Sequence, residues 1–229
     1  MIAIRPPEYF PRPEYVALLQ QADRFVLADT FQYSRQSYQN RSKLRNPKGW
    51  QWITVPLNGY AYGEPIVEVT VDADDRWQER HWRSFMYNYR STMYFEYFED
   101  RFRPVFDKQE WHVLANLTCH SVSVVADLLE IETPILRASE LAGAPDTVEG
   151  VIESLDASGE PLLVPPETAE VDDARGRDVR ICTVKIEPYR QNFDGFEPGM
   201  SAMDYAFNYG PEAARRIAES TTVTPKSST

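Results

Sequence analysis

Cysteine and histidine are scarce in this sequence. The two cysteines, Cys119 and Cys182, stand too far apart for a zinc spacing and make no disulfide framework, and three histidines leave little for a histidine-rich metal site. Both thiols are expected to be reduced, and neither a cofactor nor a metal is implied. There is no glycine-rich phosphate loop, no dinucleotide fingerprint, no nucleophile elbow and no two-histidine metal helix. No stretch approaches the ~20 apolar residues of a membrane span. The opening MIAIRPPEYF meets its first charge at Arg5 and lacks the apolar core of a secretory signal, so a cytoplasmic location is expected. Basic residues are also in deficit: 24 Lys plus Arg against 35 Asp plus Glu give a net charge of −11, which argues against a nucleic-acid partner bound by bulk charge.

What the sequence does hold is a core. Of its 229 residues 42% are hydrophobic and 13% aromatic, the composition of a globular chain. The charge is unevenly spread. Residues 1–110 carry 15 basic and 15 acidic side chains, whereas residues 127–178 carry 14 acids against Arg137, Arg175 and Arg177. That stretch also contains Gly143, Gly150, Gly159, Pro161, Pro165 and Pro166, and residues 145–178 read as an irregular acidic surface flap. From Arg35 to Lys48 there is no acid, and Arg35, Arg41, Lys43, Arg45 and Lys48 make a local positive segment suited to a phosphate or carboxylate, or else a charged, exposed hairpin.

Periodicity predicts a strand at Ile2–Ile4, a helix from Pro13 to Ala22 and a strand from Arg24 to Ala28. QWITVPL (51–57) and IVEVTV (66–71) read as the arms of a hairpin around Asn58-Gly59 and Gly63. Three helices follow over residues 77–130, striped by Trp82, Phe85, Met86, Tyr89 and Met93, then Phe95, Phe98, Phe102 and Phe106, then Leu114, Leu117, Val124, Val125 and Leu128. Such aromatic stripes are core more often than ligand platforms. RICTVKI (180–186) suits a returning strand, residues 201–209 and 211–218 a helix pair broken at Gly210-Pro211, and the polar tail 220–229 disorder. The fold class expected is α/β, a mixed sheet with a helical layer at 77–130.

Cys119 and His120 look like a thiol and its base, but neighbours on a helix point about 100° apart, so the pair reads as structural. His112 stands beside Trp111 at the start of the same helix. His81 stands at the edge of an apolar helix face, where a group titrating near neutral pH suits acid–base chemistry. Asp29 ends the second strand, where α/β proteins place ligand-contacting groups, although a strand-capping role fits as well.

The segments IAIRPPEYFPRPEYVALLQQADRFVLADTFQYSRQSYQNRSKL, WQWITVPL, RWQERHWRSFMYNYRSTMYFEYFED and YRQNFDGFEPGMSAMDYAFNYGPEA resemble the WbqC-like protein family over most of residues 1–212, with a gap at the acidic segment. Its marks are Tyr9 to Pro11, Asn40-Arg41, His81, Tyr94 to Glu96 and Gly210-Pro211. Many members open with His-Gln-Pro where this chain has Arg5-Pro6-Pro7, and carry Asp-Asp-Val-Gln-Phe where it has Asp29-Thr30-Phe31-Gln32-Tyr33. Larger members have a glycine-rich segment that the acidic stretch replaces. These departures mark a shorter branch.

The resemblance implies one α/β domain over residues 1–219 and a role in surface polysaccharide biosynthesis, by acyl or aminoacyl transfer to an amino sugar or sugar nucleotide. The partners would be that small molecule and an acyl donor or carrier. Arg5 and Arg41 would hold the anionic part of the substrate, Tyr9, Gln32, Asn40 and Gln191 its polar groups, and His81 with Asp29 would supply the acid or base. A second reading is a non-catalytic binding or scaffold protein of the same pathway. A third makes the aromatic helices an interface between copies of the chain.

Overall fold

The computed structural model describes residues 1–59, 61–72, 76–107, 111–168 and 177–226. Strand β1 (Ile2–Arg5), helix α1 (Pro13–Gln21) and strand β2 (Arg24–Leu27) form a parallel unit, with Ile2 opposite Arg24 and Arg5 opposite Leu27. Pro13 opens α1 at a position where its missing N–H has no helical partner to lose. The next two strands, β3 (Arg41–Asn46) and β4 (Gly49–Thr54), pair with each other in an antiparallel hairpin outside the main sheet. The hairpin expected from 51–57 and 66–71 is therefore not the one formed. The acid-free segment supplies β4's partner, residues 66–68 wind into a single 3-10 turn, and Leu57 and Val71 keep one isolated bridge. A 3.6-residue repeat then gives α2 (Trp77–Tyr89), α3 (Phe95–Phe102) and α4 (Leu114–Leu128).

Residues 145–178 were expected to loop over the surface, and the structure corrects this. Helix α5 (Val148–Ser154) is capped by Thr147, whose Oγ1 accepts the Gly150 N–H at 3.2 Å. After β5 (Ile135–Arg137), strand β6 (Leu162–Val164) enters the middle of the sheet, buried at all three positions. A strand covered on both faces shows no polar alternation, and LLV between two prolines is too short to stand out. Residues 169–176 lie outside the described residues.

Strand β7 (Val179–Val184) follows, then α6 (Ala202–Tyr209), α7 (Glu212–Glu219) and β8 (Thr221–Pro225). Most of the tail expected to be disordered is thus an edge strand, antiparallel to β7 from Val184–Thr221 to Arg180–Pro225. Its Thr-Thr-Val-Thr run is β-branched throughout, which favours extended backbone despite its polarity. Residues 227–229 lie outside the described residues. The sheet order is β5-β2-β1-β6-β7-β8, parallel except for the last pair: a mixed sheet in an α/β fold. The chain moves from β1 toward β2 and β5, then restarts on the other side of β1 with β6. The ends of β1 and β6 therefore form the point where strand order reverses.

The aromatic stripes pack as core. Phe85, Phe95, Phe102 and Phe207 lie with ring centroids 5.1–6.1 Å apart, and all four are buried. Met93 falls outside this cluster and is 81% exposed. Both cysteines are free and buried. No described helix is long and apolar enough to cross a membrane.

Candidate functional site

Helix α4 is largely apolar, and its Thr118 and Ser121 are buried. Asn116, Cys119, His120 and Ser123 recur at i, i+3, i+4 and i+7, so they share a face. That face looks across a cleft of about 280 Å³ at Leu27, Ile135, Arg137 and Glu140. Leu27 and Arg137 are the last residues of the parallel strands β2 and β5, so the cleft opens at the carboxyl edge of the sheet, where α/β folds place ligands.

Arg137 is held in place from behind. Its Nε donates to Asp29 Oδ2 at 2.8 Å and its Nη2 to Asn116 Oδ1 at 3.1 Å. Asp29 is completely buried, and Ser139 satisfies the rest of its carboxylate, with the backbone N–H donating to Oδ1 at 2.9 Å and the hydroxyl to Oδ2 at 2.7 Å. Burial alone would lower the Arg137 guanidinium, but the charges and hydrogen bonds around it raise it above its ordinary value, so it stays cationic. Asp29 therefore positions an arginine. It does not approach the cleft itself.

His120 is half-buried against Trp111, with ring centroids 5.3 Å apart. Among the described residues neither ring nitrogen has a hydrogen-bond partner. Burial lowers its pKa below the ordinary histidine value, so at neutral pH the imidazole is uncharged and has a lone pair to offer. Burial, followed by the charge of Asp29, pushes the Cys119 thiol up to about 12, so the neighbouring sulfur stays protonated and unreactive. Cys119 and His120 both line this cleft, although the 100° argument reads the pair as structural. Both lie on the polar stripe set by Asn116 and Ser123, the signal from which this site was legible.

A model of the WbqC-like protein family matches residues 6–216. The chain belongs to the WbqC-like protein family. It is also similar to an uncharacterized protein of Mycobacterium tuberculosis, Rv1507c, at 27% identity over 220 residues, covering 93% of this chain and 95% of that one. No solved structure matches.

The structure divides the other family-motif residues of this WbqC-like chain among several places. His81 is buried in the core. The Thr54 carbonyl, which can only accept, meets Nε2 at 3.2 Å, so Nε2 carries the proton and Nδ1 accepts from the Tyr9 hydroxyl at 3.0 Å. Tyr9 is itself fully buried, and burial keeps its phenol protonated as the donor. Tyr9 and His81 thereby tie the 9–11 segment to α2 and β4. Asp29 has no bond to His81, since its partners are Arg137 and Ser139.

Arg5, at the end of β1, donates to Thr168 Oγ1 just beyond β6 at 3.2 Å, right at the strand-order reversal. Arg41 donates to the carbonyls of Ser37 and Gln36 and lies 4.1 Å over the Trp52 ring, so its fork holds its own loop. Arg41, Lys43 and Arg45 alternate along one face of β3, where Lys43 covers Trp50 and Arg45 is buried. These cations consequently do not converge on one anion. Asn40 donates to the Val55 carbonyl at 3.0 Å while lining a shallow pocket of about 250 Å³ with Tyr33 and Arg35, and Gln32 is exposed beside it.

The Gln191 amide is saturated. Its oxygen accepts from Arg45 Nε at 3.1 Å and the Glu197 N–H at 2.8 Å, and its nitrogen donates to the Glu197 carbonyl at 3.0 Å and Asp204 Oδ2 at 3.1 Å. With nothing left to offer a ligand, it is a strut of its loop.

Proposed function

We propose that the protein is a transferase of surface polysaccharide biosynthesis that adds an acyl or aminoacyl group to an amino sugar or sugar nucleotide, with the cleft between α4 and β5 as its site. Membership of the WbqC-like family supports the pathway. The observation that carries the chemistry is an uncharged His120, without a hydrogen-bond partner among the described residues, beside an arginine whose orientation Asp29 fixes.

In this reading Arg137 holds a phosphate or carboxylate of the substrate, and Asn116 and Ser123 face its hydroxyls. The sugar amine attacks the carbonyl of an activated acyl donor such as a thioester. The new C–N bond forms as the C–S bond breaks, the amine proton passes to His120, and the imidazolium returns it to the departing thiolate. Asp29 serves as a positioning residue.

The test is N-acylation of UDP-linked amino sugars by acyl thioesters, followed by mass spectrometry. His120→Gln should lower turnover by ~100- to 10,000-fold with little change in thermal stability. Asp29→Asn should raise KM and lower stability together, because it leaves the Arg137 charge short of its buried partner. Product formation that survives His120→Gln unchanged would remove His120 from the mechanism. A wild type that binds these sugars but forms no product would leave the chain a binding protein.

A further inference from the structure

A second cavity, of about 520 Å³, lies away from α4 and shares no lining residue with the His120 cleft. Its walls are Ser91, Thr92 and Met93 from the turn between α2 and α3, Arg190, Gln191 and Asn192 from the loop before α6, and Asn208 with Tyr209 from the end of α6. All three segments lie in stretches that carry the family resemblance.

The walls are preformed. Gln191 is saturated by Arg45, Glu197 and Asp204, and Arg45 in turn binds the carbonyls of Gly49 and Asp194, so the loop carrying Arg190 is anchored on both sides. Asn192 donates to the Asn88 carbonyl and accepts from the Ser91 hydroxyl, which fixes the loop to the α2–α3 turn. The Tyr94 N–H donates to the Phe207 carbonyl at 3.1 Å, joining that turn to α6.

Within this frame several groups are left unengaged. Arg190 is exposed and, among the described residues, makes no hydrogen bond or ion pair. Asn208 uses its amide nitrogen on the Asp204 carbonyl at 2.7 Å and keeps its side-chain oxygen, and among the described residues the Tyr209 hydroxyl has no hydrogen-bond partner, although its ring packs under Arg216 at 4.1 Å. The exposed Met93 supplies an apolar wall.

We propose that this cavity binds a sugar carrying one anionic group, a carboxylate or a phosphate, paired with Arg190. One unpaired guanidinium calls for one anion. The Asn208 oxygen accepts from a sugar hydroxyl, the Tyr209 hydroxyl donates or accepts, and Met93 covers an apolar ring face. The volume accommodates a ring with substituents. The proposal stands apart from the chemistry assigned to His120, and it holds whether or not the chain is an enzyme.

Calorimetric titration with glucuronate, glucose 1-phosphate and glucose tests it. The wild type should bind at least one of the two acids saturably, about tenfold or more tighter than glucose, and Arg190→Gln should erase that advantage while Arg190→Lys keeps part of it. Arg190 is exposed, so an unchanged melting temperature confirms that the variant is folded. Tyr209→Phe should weaken both acids. Preference for glucuronate or for the phosphate ester identifies the anion. Equal affinity of wild type and Arg190→Gln, or no saturable binding of either acid, overturns the proposal, and neither result bears on His120.

Discussion

Gly210 offers a sharp test of how α6 is joined to the helical layer. It ends α6 at φ 57° and ψ −135°, a conformation that side chains avoid, and a Cβ built there would lie 2.5 Å from the Tyr94 ring. Gly210→Ala meets two costs. Holding a non-glycine residue in this region costs about 1–3 kcal/mol. Displacing a ring whose own backbone is tied to Phe207 adds an overpacking cost of about 1–3 kcal/mol. Together they come to about 2–6 kcal/mol, which for a chain of this size lowers the melting temperature by at least about 4 °C. Urea denaturation of Gly210→Ala, Tyr94→Ala and the double variant would divide the sum, because removing the ring relieves the clash and leaves only the backbone cost. The double variant should therefore be more stable than the two single losses added together. A Gly210→Ala protein within 0.5 kcal/mol of wild type, a loss of the size usual for an innocuous surface change, would refute both the conformation and the contact.

Deleting residues 156–168 removes β6 from between β1 and β7, so the variant should fail to give a cooperative unfolding transition. A melting curve like that of the wild type would show the segment to be dispensable. His81→Leu leaves the buried Tyr9 hydroxyl and the Thr54 carbonyl without their partner, so it should cost about 1–3 kcal/mol in urea denaturation and leave the pH profile of any transfer activity unchanged. His120 has the opposite signature. Its pKa is depressed in the fold, so its contribution is present above the unfolded value near ~6.5 and is lost as pH falls through the folded value. The wild type should lose stability on that limb relative to His120→Gln, and two superimposable stability–pH curves would contradict the burial assigned to the ring.

The elements that were legible share a physical cause. The parallel β1-α1-β2 unit, the three helices of residues 77–130 and the α6–α7 break at Gly210 each repeat a period or a chain-breaking residue over enough positions to stand above composition. Strand β6 did not, because three buried apolar residues amid acids and prolines have no alternation to detect, and its partner β1 stands at the other end of the sequence. Strand β8 was hidden for another reason: its polarity suggests a solvated tail, whereas what orders it is β-branching and the open edge of β7.

The site was harder to read than the fold, and Asp29 shows why. Its position just beyond β2 follows from the topology of parallel sheets. Whether its carboxylate meets a substrate or another side chain depends on Arg137 and Ser139, more than 100 residues away and brought there by β5. His81 and His120 went the same way. An imidazole at the rim of an amphipathic helix and one beside a cysteine look alike in a linear sequence, yet the first meets Tyr9 and Thr54 with its two nitrogens and the second, among the described residues, has a hydrogen-bond partner for neither. What separates a base from a strut is the unused lone pair, and unused capacity appears only once every neighbour is in place. The same criterion singles out Arg190 from Arg41 and Arg45. Arg41 spends its fork on carbonyls of its own loop and Arg45 on those of Gly49 and Asp194, whereas Arg190, among the described residues, has no such partner.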